Sequence, residues 1–208
     1  MKKVFTDYMN NNLSLEKWQK IGVLCLIIIF AGLFGWIYEF IFYFFDGGMK
    51  EFYFQGGNFL PWINIYAYGA LLIFLSTFKW KKNPLLVILL SALVCGLLEY
   101  FSGLIIYHLF DGLRLWDYNV EILNFGNIGG FVCFRSVAFF GISGLFFMYV
   151  VLPFCIFIST IMNKKNFLVL SITLVSIILI DEVYNLIVAR VFDLPRAYDI
   201  YSKLGVKY

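Results

Sequence analysis

Residues 84–136 read PLLVILLSALVCGLLEYFSGLIIYHLFDGLRLWDYNVEILNFGNIGGFVCFRS, and this stretch decides the fold. It begins with an apolar run that contains one carboxylate, Glu99, continues through a polar and aromatic segment around Trp116-Asp117-Tyr118, and returns to apolar sequence at Arg135. The apolar run is long enough to cross a hydrocarbon core about 30 Å thick, because a helix rises about 1.5 Å per residue. Since charged groups inside such a run are costly, we expect Glu99 and Arg135 to lie in a polar pocket between helices.

The composition of the whole chain is that of an integral membrane protein. Of its 208 residues, 62% are hydrophobic and 14% are charged, against about half and about a quarter in soluble domains. The 16 Lys and Arg residues barely exceed the 13 Asp and Glu residues, and no basic cluster stands outside the apolar runs, so nucleic acid is not an expected partner. We expect the protein to lie in the lipid bilayer of the cell membrane.

Five apolar runs predict an all-α membrane protein, a bundle of five transmembrane helices. They cover residues 21–45, 61–78, 84–110, 128–162 and 167–192. The fourth run has 35 residues, about 52 Å as one helix, so we expect a break or kink at Gly129-Gly130, Gly141, Gly144 or Pro153. Residues 46–60 and 111–127 are predicted to form two outer loops rich in glycine and aromatic residues.

Basic residues predict the orientation of this bundle. With the amino terminus in the cytoplasm, the inner segments carry nine lysines and the two outer loops carry only Lys50 and Arg114, which satisfies the positive-inside rule. We therefore expect a cytoplasmic tail over residues 1–20 with an interfacial helix near 13–18. A single transmembrane domain over 21–192 and a short extracellular tail over 193–208 follow.

Polar residues from all five predicted spans converge at one depth. Glu99 lies 15 residues beyond Pro84 and Asp181 lies 14 residues beyond Phe167, so both lie about 21 to 23 Å from the cytoplasmic end. We predict a shared pocket at this level that opens outward. Its candidate residues are Glu39, Asn64, Tyr66, Glu99, Trp116, Asp117, Tyr118, Arg135, Asp181 and Glu182.

The charges of these residues leave several interpretations open. Glu99 and Arg135 can form a buried ion pair that only fixes helix packing. Asp181 and Glu182 lie about 100° apart around a helix, so one partner can hardly serve both. Arg135 can neutralise one or two of the acids, and the remaining acid is either protonated or balanced by a cationic ligand. Trp116 and Tyr118 are either interface-belt aromatic residues or part of a ligand platform.

Motifs of common enzyme classes are missing from the sequence. It has no Gly-x-x-x-x-Gly-Lys-Ser/Thr loop for ATP, no Gly-x-Ser-x-Gly nucleophile turn and no His-Glu-x-x-His zinc helix. Cys25, Cys95, Cys133 and Cys155 all fall in apolar runs without a Cys-x-x-Cys pair, which favours buried thiols over disulfides or a zinc site. We expect no metal and no cofactor, and enzymatic chemistry would depend on carboxylates.

Short motifs spread over about residues 21–153 form a set. They are Gly35-Trp36-Ile37-Tyr38-Glu39, Asn58-Phe59-Leu60 with Pro61, Ile65-Tyr66-Ala67-Tyr68-Gly69, Leu98-Glu99-Tyr100 with Gly103, Trp116-Asp117-Tyr118, Asn124, Gly129, Ser136, Phe140-Gly141 and Pro153. This set resembles the membrane family described as putative ABC transporter type IV, or CmpB family, which includes relatives of vertebrate transmembrane protein 229. The resemblance implies a permease that works with a separate ATPase.

Three functions remain open on this sequence. The leading hypothesis is a permease-like or solute-binding membrane protein whose ligand is a small cationic solute or protons and whose partner is a separate ATPase or another membrane subunit. The first alternative is a membrane enzyme acting on a lipid-linked substrate with paired carboxylates as acid and base, for which a lateral gap beside Glu99 would be typical. The second alternative is a non-catalytic partner or sensor subunit with a narrow, fully paired pocket.

Overall fold

The computed structural model describes residues 1–46, 54 and 56–206, and these residues form helices joined by loops. The other residues, which include Lys50 of the first predicted outer loop and Lys207 of the predicted extracellular tail, lie outside the described part of the chain. The helices are α1 (Lys2–Met9), α2 (Lys17–Asp46), α3 (Asn64–Thr77), α4 (Pro84–Leu109), α5 (Phe134–Phe146), α6 (Leu152–Ile161), α7 (Lys164–Val183), α8 (Ala189–Val191) and α9 (Ala197–Lys203). The prediction of an all-α protein is confirmed.

Four stretches of the described residues are long and apolar enough to cross a membrane. They are Lys17–Asp46, Pro84–Leu109, Phe134–Ile161 and Lys164–Val191. Helix α3, which lies in the remaining predicted span, has 14 residues and is about 21 Å long, short of a hydrocarbon core of about 30 Å. The count of five spans and the orientation of the bundle therefore stay predictions.

Asparagine and proline side chains set where the membrane helices begin. The Oδ1 atom of Asn83 accepts a hydrogen bond from Leu86 N–H at 3.2 Å, and Pro84 takes the first helical position, where its missing N–H is not needed. In the same way, Asn163 Oδ1 accepts from Asn166 N–H at 2.9 Å at the start of α7. These caps explain why the predicted and observed beginnings of α4 agree.

The long apolar run over 128–162 is broken at its glycine pair. Gly129 and Gly130 have φ angles of 63° and 82°, values that favour glycine, and the helix begins only at Phe134. Farther along, Phe147–Val151 is π-helical and joins α5 to α6. This irregular turn comes just before Pro153, which has no N–H to donate to the preceding turn.

The helix of the amino-terminal tail does not lie where the sequence predicted it. Residues 13–16 are not helical and α2 begins at Lys17, whereas Lys2–Met9 forms α1. The prediction of a helix near 13–18 is therefore wrong. The physical reason is tertiary packing: Tyr8 of α1 is 1% exposed and its ring lies 6.1 Å from that of Phe78, and such burial stabilises a helix too short to be stable alone.

Contacts between residues divide the chain into two compact units. The first unit comprises Met1–Leu13 and Gly69–Phe154, and the second comprises Ser14–Tyr68 and Cys155–Tyr208. The single transmembrane domain over 21–192 stays a prediction.

The core of the first unit is the packing of α4 against α5. A Cβ atom at Gly144 of α5 would lie 2.0 Å from Ser91 Oγ of α4, and one at Gly141 would lie 3.0 Å from Ile88 Cγ2. Because neither glycine has a side chain, the two helices approach closely along this line. Small residues are typical of helix contacts in membranes, where close van der Waals packing drives association.

The second unit is built around α2 and α7. The indole N–H of Trp62, just before α3, donates to the carbonyl oxygen of Ile28 at 3.1 Å. A Cβ at Gly32 would lie 2.0 Å from that indole nitrogen, and a Cβ at Gly22 would lie 2.2 Å from a ring carbon of Phe167. Glycines on α2 thus let large aromatic residues lie directly against the helix backbone.

Candidate functional site

Glu99 is a buried carboxyl of the first unit. Glu99 lies on α4 and is 6% exposed. The Tyr118 hydroxyl donates to Glu99 Oε1 at 2.5 Å, and the Ser136 hydroxyl lies 2.7 Å from Oε2. Both carboxyl oxygens are therefore held by hydroxyl groups rather than by a cation in the described residues.

Two local structures bring these hydroxyls to Glu99. Ser136 stands in the first turn of α5, where its Oγ accepts from Cys133 N–H at 3.2 Å in a capping arrangement. Tyr118 lies in the segment between α4 and α5, and its own N–H donates to Gly130 O at 3.1 Å. Burial raises the pKa of Tyr118, so its hydroxyl keeps its proton and remains a hydrogen-bond donor.

Arg135 forms its ion pair with Glu121. The Nη2 atom of Arg135 lies 2.5 Å from Glu121 Oε2, and the side chains of the pair are 13% and 6% exposed. Arg135 Nη1 also donates to Ile122 O at 2.9 Å, and the guanidinium carbon lies 5.1 Å from the centre of the Tyr118 ring. The structure thus places Arg135 over the ring of Tyr118 and Glu99 at its hydroxyl, while the salt bridge of Arg135 is made to a loop acid.

Glu121 is a buried group that sequence reasoning missed. It is 8% exposed, although Val120 and Ile122 on either side are 82% and 47% exposed. From the sequence, a single acidic residue in a loop is expected to be exposed to solvent, since acidic residues are rarely buried without a partner. The available signal was Arg135, a basic residue in an apolar run that needs an acidic partner, but the sequence already offered Glu99 for that role.

Trp116 and Asp117 organise the loop itself. Trp116 Nε1 donates to Phe131 O at 2.9 Å, and Asp117 Oδ1 accepts from the backbone N–H of Asn119 at 3.0 Å. A Cβ at Gly130 would lie 2.3 Å from Arg114 Nη1, so the loop passes through a position that only glycine fits. Of the three consecutive predicted residues, Tyr118 is the one that reaches Glu99.

Asp181 and Glu182 of α7 belong to the second unit and bind different partners. Asp181 accepts from Phe59 N–H at 3.0 Å through Oδ1 and from Leu60 N–H at 2.7 Å through Oδ2. Glu182 accepts from the side-chain amide of Asn58 at 2.7 Å through Oε2, and from that of Asn64 through Oε1. The two acids together hold the segment that leads into α3.

Asn185 extends this arrangement by one helical turn. Its Nδ2 donates to Asp181 Oδ1 at 2.8 Å, and its Oδ1 accepts from Ala197 N–H at 2.8 Å at the start of α9. Asn185 is 4% exposed. Three residues within about one helical turn, Asp181, Glu182 and Asn185, therefore fix both the segment before α3 and the beginning of α9.

The two remaining predicted site residues, Glu39 and Tyr66, also lie in the second unit. A Cβ at Gly35 would lie 2.1 Å from Tyr66 Cγ, so the tyrosine ring covers α2 one turn before Glu39. The rings of Tyr38 and Tyr66 lie 6.4 Å apart. Among the predicted site residues, the structure brings Asn64 into contact with Glu182, and Tyr118 into contact with Glu99.

An open apolar groove of about 410 Å³ lies on the first unit. It is lined by Ala92, Leu93, Gly96, Leu97, Tyr100, Ile128, Val132 and Val137. Gly96 precedes Glu99 by one turn of α4 and Tyr100 follows it directly. The groove thus runs along the side of the helix that carries the buried carboxyl.

Four long apolar helices and buried polar clusters define the chain as a multi-pass α-helical membrane protein. Comparison with known families adds a more specific finding: the profile of the family described as putative ABC-transporter type IV matches residues 26–186. The chain belongs to this family, as the sequence motifs predicted. Neither a search of curated proteins nor one of solved structures finds a match.

Proposed function

We propose that the chain is the permease-like, membrane-spanning component of a transport system in the cell membrane, and that Glu99 is its ligand-contacting group. The single observation that carries this proposal is the buried Glu99 carboxyl, whose oxygens meet the hydroxyls of Tyr118 and Ser136. An ionised group inside a membrane is costly, up to roughly 2.5 to 3.5 kcal/mol on insertion scales. A carboxyl in such a place is therefore a marker of function.

The hydrogen bonds of Glu99 differ in kind from those of Asp181 and Glu121, and this difference supports a different role for Glu99. Asp181 is held by two backbone N–H groups, and Glu121 by a guanidinium, so both act as structural clamps. Hydroxyl groups can donate or accept and can turn about their C–O bonds. Glu99, which is held by hydroxyls, can therefore exchange its partners for a ligand, either a small cationic solute or a proton.

Transport assays on membrane vesicles from expressing cells test this proposal, because such vesicles retain partner proteins. We expect vesicles with the wild-type chain to take up labelled spermidine or to move protons, measured with an internal pH-sensitive dye. Glu99→Gln should abolish the movement while expression persists. The matched control is Asp111→Asn, because Asp111 is an exposed carboxylate with φ 50° that asparagine tolerates.

Two outcomes of that assay would count against a specific role of Glu99 in transport. Equal uptake by wild-type and Glu99→Gln vesicles, both above vesicles without the protein, would overturn the assignment of Glu99. Loss of uptake in both Glu99→Gln and Asp111→Asn would point to damaged folding or insertion and would also count against a specific role.

The family description favours a separate ATPase as partner, and the first unit offers a site for one. Lys79 and Lys82 are exposed beside the turn between α3 and α4, near the exposed Trp80. We expect an ATPase to copurify with the wild-type chain in mild detergent and to be lost when Lys79, Trp80 and Lys82 are replaced by Ala together. Copurification that survives this change would place the docking surface elsewhere.

The groove beside Glu99 favours a second candidate, an enzyme that acts on a lipid-linked substrate. An apolar groove open to the side, next to a buried carboxyl, suits an acyl or prenyl chain whose polar head reaches the acid. Ala92→Leu would fill the groove, and Leu85→Phe, at an exposed α4 position outside the groove, is its control. Mass spectrometry of copurifying lipids should show a lipid-linked compound lost from the first variant alone if this candidate is right.

A further inference from the structure

Ser136 Oγ lies within hydrogen-bond distance of more acceptors than it has hydrogens. It is 2.7 Å from Glu99 Oε2 and 2.9 Å from Cys133 O, and it accepts from Cys133 N–H at 3.2 Å. A hydroxyl carries one hydrogen and two lone pairs. If Glu99 is ionised, the single hydroxyl hydrogen of Ser136 can be donated either to Glu99 Oε2 or to Cys133 O. At the other of these two oxygens, a lone pair of Ser136 Oγ then faces a lone pair of the acceptor.

A proton on Glu99 Oε2 resolves this arrangement. The carboxyl O–H then donates to Ser136 Oγ, and the Ser136 hydroxyl donates to Cys133 O. The two lone pairs of Ser136 Oγ accept from Glu99 and from Cys133 N–H, while Tyr118 O–H donates to Glu99 Oε1. Each of these O–H and N–H donors has an oxygen acceptor in this state, and no two oxygen acceptors are left facing each other; the weak S–H donor of Cys133, 3.9 Å from Ser136 Oγ, is not needed.

The charges around Glu99 favour the same state. Two titratable groups that interact with it are Tyr118, whose hydroxyl keeps its proton, and the buried thiol of Cys95, one turn earlier on α4. The charged groups nearby are Glu121 and Arg135, which neutralise each other as an ion pair. An ionised Glu99 would therefore be a second acid against one cation, buried in a membrane span.

We propose that Glu99 is a proton-binding site, a neutral carboxylic acid held between Tyr118 and Ser136 within α4. This inference deepens the proposed function by naming the proton as the ligand of the site. It rests on the proposed function only for its consequence, that transport is coupled to proton binding. The protonation of the carboxyl itself follows from the hydrogen bonds.

Infrared difference spectroscopy of the purified, reconstituted protein tests the proposal directly. The wild-type spectrum minus that of Glu99→Gln should show the C=O stretching band of a protonated carboxyl, and the band should shift in deuterium oxide. The wild-type spectrum minus that of Glu121→Gln should instead show the bands of an ionised carboxylate, which the variant lacks. Glu121 is the matched control because it is a buried acid of the same unit that faces a cation.

Ser136→Ala supplies a test that does not require the Glu99→Gln variant to fold. Ser136→Ala removes the acceptor of the carboxyl proton. The C=O band of Glu99 should therefore still be present, but at a higher frequency. The proposal would be overturned if the wild-type spectrum minus that of Glu99→Gln showed carboxylate bands. It would also be overturned if Ser136→Ala left the frequency of the protonated-carboxyl band unchanged. A correct band together with unchanged transport in Glu99→Gln would refute the transport role alone.

Discussion

At the scale of single residues, Gly144 sets how closely α4 and α5 approach. A Cβ there would lie 2.0 Å from Ser91 Oγ and 2.4 Å from Ser91 Cβ, and these short-chain atoms cannot swing away. We expect Gly144→Ala to lower the free energy of unfolding by about 1–3 kcal/mol, as overpacking does in tight cores. Thermal unfolding of the detergent-solubilised protein would measure this.

Two variants make the Gly144 prediction specific. Gly69→Ala is the control, because its Cβ would meet Cys95 Sγ at 3.4 Å, an ordinary contact. It should change stability little. Adding Ser91→Gly to Gly144→Ala should recover part of the loss, and a double variant no more stable than the single one would contradict the steric explanation.

The ion pair of Arg135 and Glu121 supports a second prediction at this scale. Replacing only Glu121 by Gln leaves a buried guanidinium without its counter-charge, which typically costs about 3–5 kcal/mol. Replacing both residues, as Glu121→Leu with Arg135→Met, should cost much less than the sum of the single changes. Additive losses in a double-mutant cycle measured by chemical unfolding would show that the pair is not coupled.

Residue by residue, the sequence allowed the buried acids to be recognised but not their partners. The angular separation of Asp181 and Glu182 on a helix predicted separate partners, and the structure gives them separate partners. The identity of those partners depends on where a loop folds back. Glu121 and the backbone N–H groups of Phe59 and Leu60 carry no periodic signal, because a loop position has no helical face to reveal its burial.

At the scale of elements, Asp181 holds the segment before α3. Asp181→Asn leaves one side-chain oxygen where two carboxylate oxygens accept from the N–H groups of Phe59 and Leu60. It should lower the free energy of unfolding by about 1.5–3 kcal/mol, the range for hydrogen bonds to charged groups. Hydrogen exchange of those two amides should accelerate. Asp193→Asn, at an exposed position with φ 50°, is the control, and equal acceleration in both variants would contradict the clamp.

Helix α1 depends on Lys81 for its place on the first unit. The Lys81 ammonium donates to Asn11 Oδ1 at 2.6 Å and lies 4.5 Å from the Tyr8 ring and 3.9 Å from the Phe78 ring. A desolvated cation–π contact is worth about 2 kcal/mol. We expect Lys81→Met to reduce the protection of α1 amides from hydrogen exchange by tenfold or more, a factor equal to about 1.4 kcal/mol.

The control for this prediction is Lys82→Met, which removes an exposed lysine from the same turn. It should leave the protection of α1 unchanged. If both variants loosen α1 equally, the net charge of the turn rather than the aromatic contact of Lys81 would hold the helix.

Among the elements, long helices were predictable and irregular ones were not. The beginning of α4 followed from Asn83-Pro84, whose capping chemistry is local. Helix α1 was missed because its stability comes from Tyr8 packing on Phe78, about seventy positions away in the chain. The π-helical segments at Phe147–Val151 and Tyr184–Val188 leave no clear pattern in an apolar run, since period arguments need polar residues to mark a face.

At the scale of the whole molecule, the number of spans determines which segments share a side of the membrane. If α3 crosses, five spans place Lys82 and Lys165 in the cytoplasm and Leu115 and Ser202 outside, in agreement with the excess of lysine on the inner side. If α3 does not cross, every segment after it changes sides. The four positions are exposed, so each can carry a reporter cysteine.

Cysteine labelling of intact cells with a membrane-impermeant maleimide distinguishes these topologies. In a variant with the four native cysteines replaced by alanine, we expect Leu115→Cys and Ser202→Cys to be labelled. Lys82→Cys and Lys165→Cys should react only after permeabilisation. The reverse pattern would contradict the predicted sides of these segments, as expected if α3, about 21 Å long, stays in one leaflet, and Glu99 would then lie nearer the cytoplasmic face.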